Sequence, residues 1–87
     1  MVKNKLCLAD IEAKIKNVEY RVFGGRLTVA VVTMANGFQV VGESSCVDAA
    51  NFVKEDGEKY AYEDAVEQLW MLEGYLLRER LHQEGLV

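Results

Sequence analysis

The stretch Asn17–Cys46, NVEYRVFGGRLTVAVVTMANGFQVVGESSC, decides the fold that the sequence predicts. Much of it alternates between apolar and polar residues, and a period of two is typical of β-strands. Gly24-Gly25 and Asn36-Gly37 divide it into three runs, and both dipeptides suit two-residue hairpin turns because they adopt positive φ at low cost. We therefore predict three antiparallel strands that follow one another along the chain.

The two turns together predict which side chains share a face of the sheet. Two-residue loops pair Tyr20 with Val29, and Thr33 with Val40, and cross-strand partners lie on the same face. The apolar face, which we expect helices to cover, then contains Val18, Tyr20, Val22, Leu27, Val29, Val31, Phe38 and Val40. The opposite face contains Glu19, Arg21, Thr28, Ala30, Val32, Val41, Glu43 and Ser45. On this polar face, the candidate binding residues are Glu19, Arg21 and Glu43.

Helices are predicted on both sides of this meander. Leu8–Lys16 and Glu58–Gln83 have apolar residues three and four positions apart, the spacing of one helix face. Asp48 is placed to cap a short helical turn between the meander and the long helix, and Gly85 is suited to end the long helix. The predicted fold is a single α+β domain over residues 1–87. It is a three-stranded antiparallel meander packed by helices, in the order α-β-β-β-(short α)-α.

The long helix has two apolar stripes, which point roughly 130° apart at 100° per residue. The first, expected to lie on the sheet, consists of Ala61, Ala65, Leu69, Leu72 and Leu76. The second, called the Gly74 stripe, consists of Val66, Trp70, Gly74, Leu77 and Leu81. One small sheet and one short helix cannot cover both, and uncovered apolar surface usually marks an interface. We expect the Gly74 stripe to form a homo-oligomer contact, most simply a two-fold dimer.

Gly74 itself needs an explanation, because a glycine inside a helix costs about 1 kcal/mol relative to alanine. Two hypotheses remain open at this stage. Its missing side chain lets a second helix approach closely, or it relieves crowding within one subunit.

Composition limits the classes of function. The chain has 87 residues, an apolar fraction of 51% and a net charge of −4. An acidic chain is poorly suited to broad phosphate binding, and no apolar run approaches the roughly 20 residues of a membrane span. The two cysteines, Cys7 and Cys46, fit reduced thiols of a cytosolic protein better than a disulfide framework.

No group of residues predicts a catalytic, cofactor or metal site. His82 is the sole histidine, so no histidine pair can hold a metal, and Cys46 fits a small buried apolar residue. Glu19 and Glu43 would be paired carboxylates on the polar face, but that face is open to water and Arg21 lies one diagonal step away. We therefore expect a protein that is not an enzyme.

The predicted order of elements is also that of double-stranded RNA-binding domains. Those domains bind phosphates through lysines at the start of the last helix, where this chain has Lys59 among Glu58, Glu63 and Asp64. We interpret the likeness as shared architecture, and nucleic acid is not the expected partner.

Several motifs together resemble the gp-forty-nine/gene-sixty-six family of small tailed-phage proteins. They are NGFQVVGES at 36–44, Asn51-Phe52, Gly57 with Ala61, and LEGYLL at 72–77. The resemblance covers about Asp10–Leu81 and implies a phage or prophage protein that acts in the bacterial cytoplasm. It does not indicate an activity, and no catalytic residue can be carried over from it. Met71 stands where the family more often has proline, which favours a continuous helix here.

The leading hypothesis is a non-enzymatic phage or prophage accessory protein that self-associates and binds a host factor. The alternative is a binder of a small nucleotide or nucleic acid, through the polar sheet face or a cleft between subunits. This alternative requires Arg21, Arg26 and Lys59 to line one pocket.

Overall fold

The computed structural model describes residues 4–87 of the chain. The elements are α1 (Leu8–Glu12), β1 (Ile15–Phe23), β2 (Leu27–Met34), β3 (Gln39–Ser45), a 3-10 turn (Ala49–Asn51) and α2 (Lys54–Gln83). The strands form one antiparallel sheet in the order β1-β2-β3. The long helix α2 packs against β2 and β3 on one side of the sheet, the helix face; the other side is the outer face. The predicted α+β class, a three-stranded antiparallel meander packed by helices, is confirmed.

The helices differ from the prediction at their N-terminal or C-terminal bounds. α1 is shorter than the predicted Leu8–Lys16, because Ile15 pairs with Met34 and belongs to β1. α2 begins at Lys54, four residues before the predicted start at Glu58, and acidic residues in its first turn favour this start. Two smaller predictions are confirmed: the Asp48 side chain accepts a hydrogen bond from the Ala50 N–H, and Gly85 follows α2 with a φ of 76°.

The predicted register is wrong by one residue at both turns. Tyr20 pairs with Ala30, and Thr33 pairs with Gln39. The second turn has three residues, since the Met34 N–H donates to the Phe38 carbonyl at 2.7 Å. Gly37, at a φ of 91°, takes the left-handed position that follows a type I turn in such loops.

The first turn departs from the prediction in the same way. The Arg26 N–H donates to the Phe23 carbonyl. The residue that pairs with Phe23 in the sheet is nevertheless Leu27, not Arg26. A shift of one residue moves a side chain to the other face. Val31 therefore lies on the outer face, on the same side as Glu43, and the prediction that it points to the helices is wrong. Val40 lies on the helix face as predicted.

The helix face of the observed sheet contains small residues where α2 crosses it. Its members are Val18, Tyr20, Val22, Thr28, Ala30, Val32, Met34, Val40, Gly42 and Ser44. A Cβ at Gly42 would overlap the backbone of Ala61 and Ala65. Ala30, Ala61 and Ala65 are fully buried. The valines of the outer face are too large for this separation, so close packing of the helix selects the face with alanine and glycine.

The core forms where α1, the sheet and the middle of α2 meet. Its buried members are Ile11, Val32, Met34, Val40, Ala65, Val66 and Leu69. Two polar contacts join the α1 region to α2. The Lys14 ammonium lies 2.6 Å from the Glu73 carboxylate, and the Tyr62 hydroxyl donates to the Glu12 carboxylate at 2.7 Å.

Candidate interaction surfaces

The two edges of the sheet differ in how their backbone groups are used. At β3, the Glu43 N–H donates to the Asp64 carboxylate at 2.9 Å, and the Gln68 side chain donates to the Val41 carbonyl at 2.6 Å. Both side chains come from α2. Since β2 pairs with β3 from its other side, α2 covers the backbone of β3 that would otherwise offer an open edge.

The opposite edge, β1, has no such cover within residues 4–87. The β1 backbone bonds to β2 and to its own turn, where Phe23 accepts from Arg26. No side chain of the described residues bonds to the β1 backbone. An unpaired row of N–H and C=O groups is a template for another strand, so β1 is a candidate binding edge.

The polar-face candidates Glu19, Arg21 and Glu43 are exposed and lie on the outer face. Glu19 is opposite Val31, and Arg21 is opposite Val29, which is itself opposite Glu43. The centre of this face is therefore apolar, with valines between the charged side chains. The expectation of a polar face open to water is correct only at its margins.

The three basic residues that the nucleotide hypothesis needs are not brought together. Arg21 is on the outer face, whereas Lys59 is on α2, across the sheet, with its ammonium 5.6 Å from the centre of the Tyr60 ring. The Arg26 guanidinium donates to the carbonyls of Cys46 and Val47, at 3.3 and 3.2 Å. No single pocket can be lined by all three.

The Gly74 stripe is only partly available to another molecule. Val66 and Leu81 are buried within the chain, whereas Trp70 is 38% exposed, and Gly74 and Leu77 are half-buried. Apart from the adjacent α2 backbone, a Cβ at Gly74 would meet no atom within 4 Å, so the hypothesis that Gly74 relieves crowding inside one subunit has no neighbour to support it. The contact between two copies through this stripe stays a prediction.

A second apolar surface lies on a different side of α2. We call it the α2 patch, and it consists of Met71, Leu72, Tyr75 and Leu76. Met71 is 79% exposed and Tyr75 is 73% exposed. Leu72 and Leu76 also line a groove of about 550 Å³ between α2 and the β2–β3 turn, next to the exposed ring of Phe38. Exposed large apolar side chains that adjoin one another are typical of interaction surfaces. Sequence periodicity placed Leu72 and Leu76 on the sheet, and so it missed this patch.

Two tyrosines in the space between β1 and α2, Tyr20 and Tyr62, have a raised pKa. Burial, together with the hydrogen bond to Glu12, raises the pKa of Tyr62 to about 12. Burial and the nearby Glu58 carboxylate raise the pKa of Tyr20. Both phenols are therefore neutral hydrogen-bonding groups near neutral pH, and neither is activated as a base or a nucleophile.

Within residues 4–87, no group of three His, Cys, Asp or Glu side chains is placed to hold a metal ion. In the same part of the chain, no helix is both long and apolar enough to cross a membrane. Cys7 and Cys46 are both free, as predicted.

These features define a small α+β domain whose candidate sites are a strand edge and exposed apolar surfaces. The model of the Phage protein (N4 Gp49/phage Sf6 gene 66) family matches residues 6–81. The chain belongs to this family, as its motifs predicted, and it is a phage-associated protein. Neither the curated proteins nor the solved structures gave a match.

Proposed function

We propose that this phage protein is a non-enzymatic accessory factor that self-associates and binds a host protein in the bacterial cytoplasm. The observation that supports the proposal most strongly is the exposure of large apolar side chains on α2, above all Met71 and Tyr75. A chain that acts alone would gain nothing from this exposure, and contact with a partner would remove it from water.

The arrangement of charged groups supports a role without catalysis. Glu19 and Glu43 lie on the outer strands, with β2 between them, and neither faces an enclosed cavity. Strands two positions apart are about 10 Å from each other, which is too far for the two carboxylates to share a proton. The α2 patch, by contrast, offers apolar area with one arginine, Arg80, in the adjoining groove.

We assign the α2 patch to the host protein. Its apolar groups adjoin a groove, and grooves beside exposed aromatic and methionine side chains suit the docking of an apolar segment of another protein. The separation of Arg21, Arg26 and Lys59 removes the support for the nucleotide alternative.

The test is capture of host proteins from infected cells with the tagged chain and matched variants. We expect Met71→Ser and Tyr75→Ser to lose a host protein that the wild type retains. Arg78→Ser is the control, because Arg78 is an exposed polar residue on the same stretch of α2. Equal capture by all of these variants, each with a wild-type melting curve, would contradict the assignment of the α2 patch.

A further inference from the structure

We propose that two copies of this chain associate edge to edge, through antiparallel pairing of β1 with the β1 of a second copy, centred on Tyr20. The result is a continuous six-stranded sheet with a two-fold axis at its middle. This inference rests on the proposed self-association and names the surface that performs it.

The different treatment of the two sheet edges is the first argument. α2 supplies Asp64 and Gln68 to the backbone of β3, and this blocks a further strand there. No described residue plays this part at β1. The fold therefore protects one edge and leaves the other ready to bond, and addition of a strand satisfies the open groups.

The length of the regular strand is the second argument. The pairing of β1 with β2 is irregular between Ile15 and Asn17, and the strand ends at Phe23. The regular segment is therefore Asn17–Phe23, and its middle residue is Tyr20. A two-fold axis through Tyr20 uses the whole regular segment of both copies, and any other centre leaves part of it unpaired.

Charge complementarity is the third argument, and it selects the same centre. Side chains that lie opposite each other in a paired sheet point to the same face. The two-fold axis must therefore pass at the position of one residue of β1, and not between two residues. A centre at Tyr20 places Glu19 opposite Arg21 of the second copy, and Arg21 opposite its Glu19. A centre at Glu19 or at Arg21 places two like charges opposite each other, which is unfavourable.

The remaining centres do not recover these pairs. With the axis at Val18 or Val22, the partner of Glu19 or of Arg21 is an uncharged residue. Pairing that is in register and has opposite charges at both positions therefore occurs only with the axis at Tyr20.

Apolar side chains on the helix face of β1 are the fourth argument. α2 lies over β2 and β3, and it leaves Tyr20 and Val22 of β1 39% and 38% exposed. In the proposed register, Val22 lies beside Val18 of the second copy, and the two Tyr20 side chains lie beside each other. The pairing thus covers apolar groups that the single chain leaves in water.

Charge reversal tests the register. Glu19→Arg alone, or Arg21→Glu alone, places like charges opposite each other at both symmetry-related pairs. We expect each variant to dissociate about tenfold to a hundredfold more readily than the wild type in sedimentation equilibrium. The double variant restores both pairs and should associate like the wild type. An equimolar mixture of the two single variants should also associate, because in a mixed dimer the two arginines of one variant lie opposite the two glutamates of the other.

Gly74→Leu separates this pairing from the contact predicted at the Gly74 stripe, because Gly74 lies on α2 and takes no part in the strand pairing. Association through β1 leaves the dissociation constant of this variant unchanged, whereas association through the Gly74 stripe raises it. If the wild type associates and neither Glu19→Arg nor Arg21→Glu weakens the association, the edge pairing is overturned while self-association stands. If Gly74→Leu alone weakens the association, the contact lies at the Gly74 stripe. A wild type that stays monomeric up to about 1 mM would refute self-association itself.

Hydrogen exchange on the wild type keeps the test independent of any variant. Backbone amides of Asn17–Phe23 should become more slowly exchanging as protein concentration rises, whereas those of β3 should not change. Exchange in β1 that is independent of concentration in an associating protein would overturn the inference.

Discussion

Replacing Gly42 with alanine should destabilise this fold, although the change adds a single methyl group. An added Cβ would overlap the Ala61 carbonyl oxygen and the Ala65 backbone nitrogen, and it would lie 2.9 Å from the Ala65 Cβ. Carbon atoms pack at about 3.5–4.0 Å. α2 must therefore move away from the sheet by more than about half an ångström, since backbone atoms cannot rotate aside as a side chain can.

The magnitude follows from two opposing effects. Overpacking a core costs about 1–3 kcal/mol, and the upper part of this range applies because the obstacle is backbone. Alanine is preferred to glycine in a strand by about 0.5–1 kcal/mol, and this preference offsets part of the overpacking cost. We expect a net loss of about 2 kcal/mol, which lowers the melting temperature of a domain of this size by about 8–16 °C.

Thermal melting followed by circular dichroism measures this loss, with Gly74→Ala as the matched control. The same methyl group at Gly74 meets no atom within 4 Å outside the adjacent α2 backbone. The change also removes a glycine from a helix interior, so the free energy of unfolding of the single chain should rise by about 1 kcal/mol. The two variants should therefore shift the melting temperature in opposite directions. A Gly42→Ala variant that melts at or above the wild-type temperature would refute the close packing of α2 on the sheet.

Three further predictions concern single groups. The Thr28 hydroxyl oxygen is buried without a hydrogen-bond partner among the described residues, so Thr28→Val should raise the free energy of unfolding in urea by about 1 kcal/mol; an equal rise in Thr28→Ser would contradict this cause. The pKa of Tyr62 is raised from 10.0 to about 12, so its contribution to stability is complete below pH 10 and is lost as the pH rises to about 12. Melting temperatures over this pH range should fall more steeply for the wild type than for Tyr62→Phe, and parallel curves would exclude this contribution. Cys7 and Cys46 are free, so intact mass spectra should agree with and without reductant; a monomer lighter by about two hydrogens before reduction would reveal a disulfide.

The order of elements could be predicted from sequence, but the sheet register could not. β2, LTVAVVTM, has apolar residues on both of its faces, so the pattern of the strand is compatible with either orientation. The length of the turns then decided the register. Gly37 suits a two-residue loop and equally the last position of a three-residue loop. The sequence does not distinguish these two loops, whereas the close approach of α2 to Gly42 in the fold does.

The candidate sites were predicted in part, for a related reason. Periodicity identified two apolar stripes on α2, but their burial depends on contacts from distant parts of the chain. Leu81 is buried, and the segment before α1, which includes Leu6, lies beside it. Leu72 and Leu76 lie on the stripe that was expected to face the sheet. They are exposed because α2 extends past the end of the sheet at the β2–β3 turn. The covering of β3 by Asp64 and Gln68 has no signal in a single sequence, because both are ordinary surface residues of a helix.

Sedimentation equilibrium of the wild-type protein measures self-association without any substitution. The single chain has a mass of 9.8 kDa. We expect a mass that rises with concentration toward twice this value and fits a monomer–dimer equilibrium. A mass that stays at 9.8 kDa up to about 1 mM protein would contradict it.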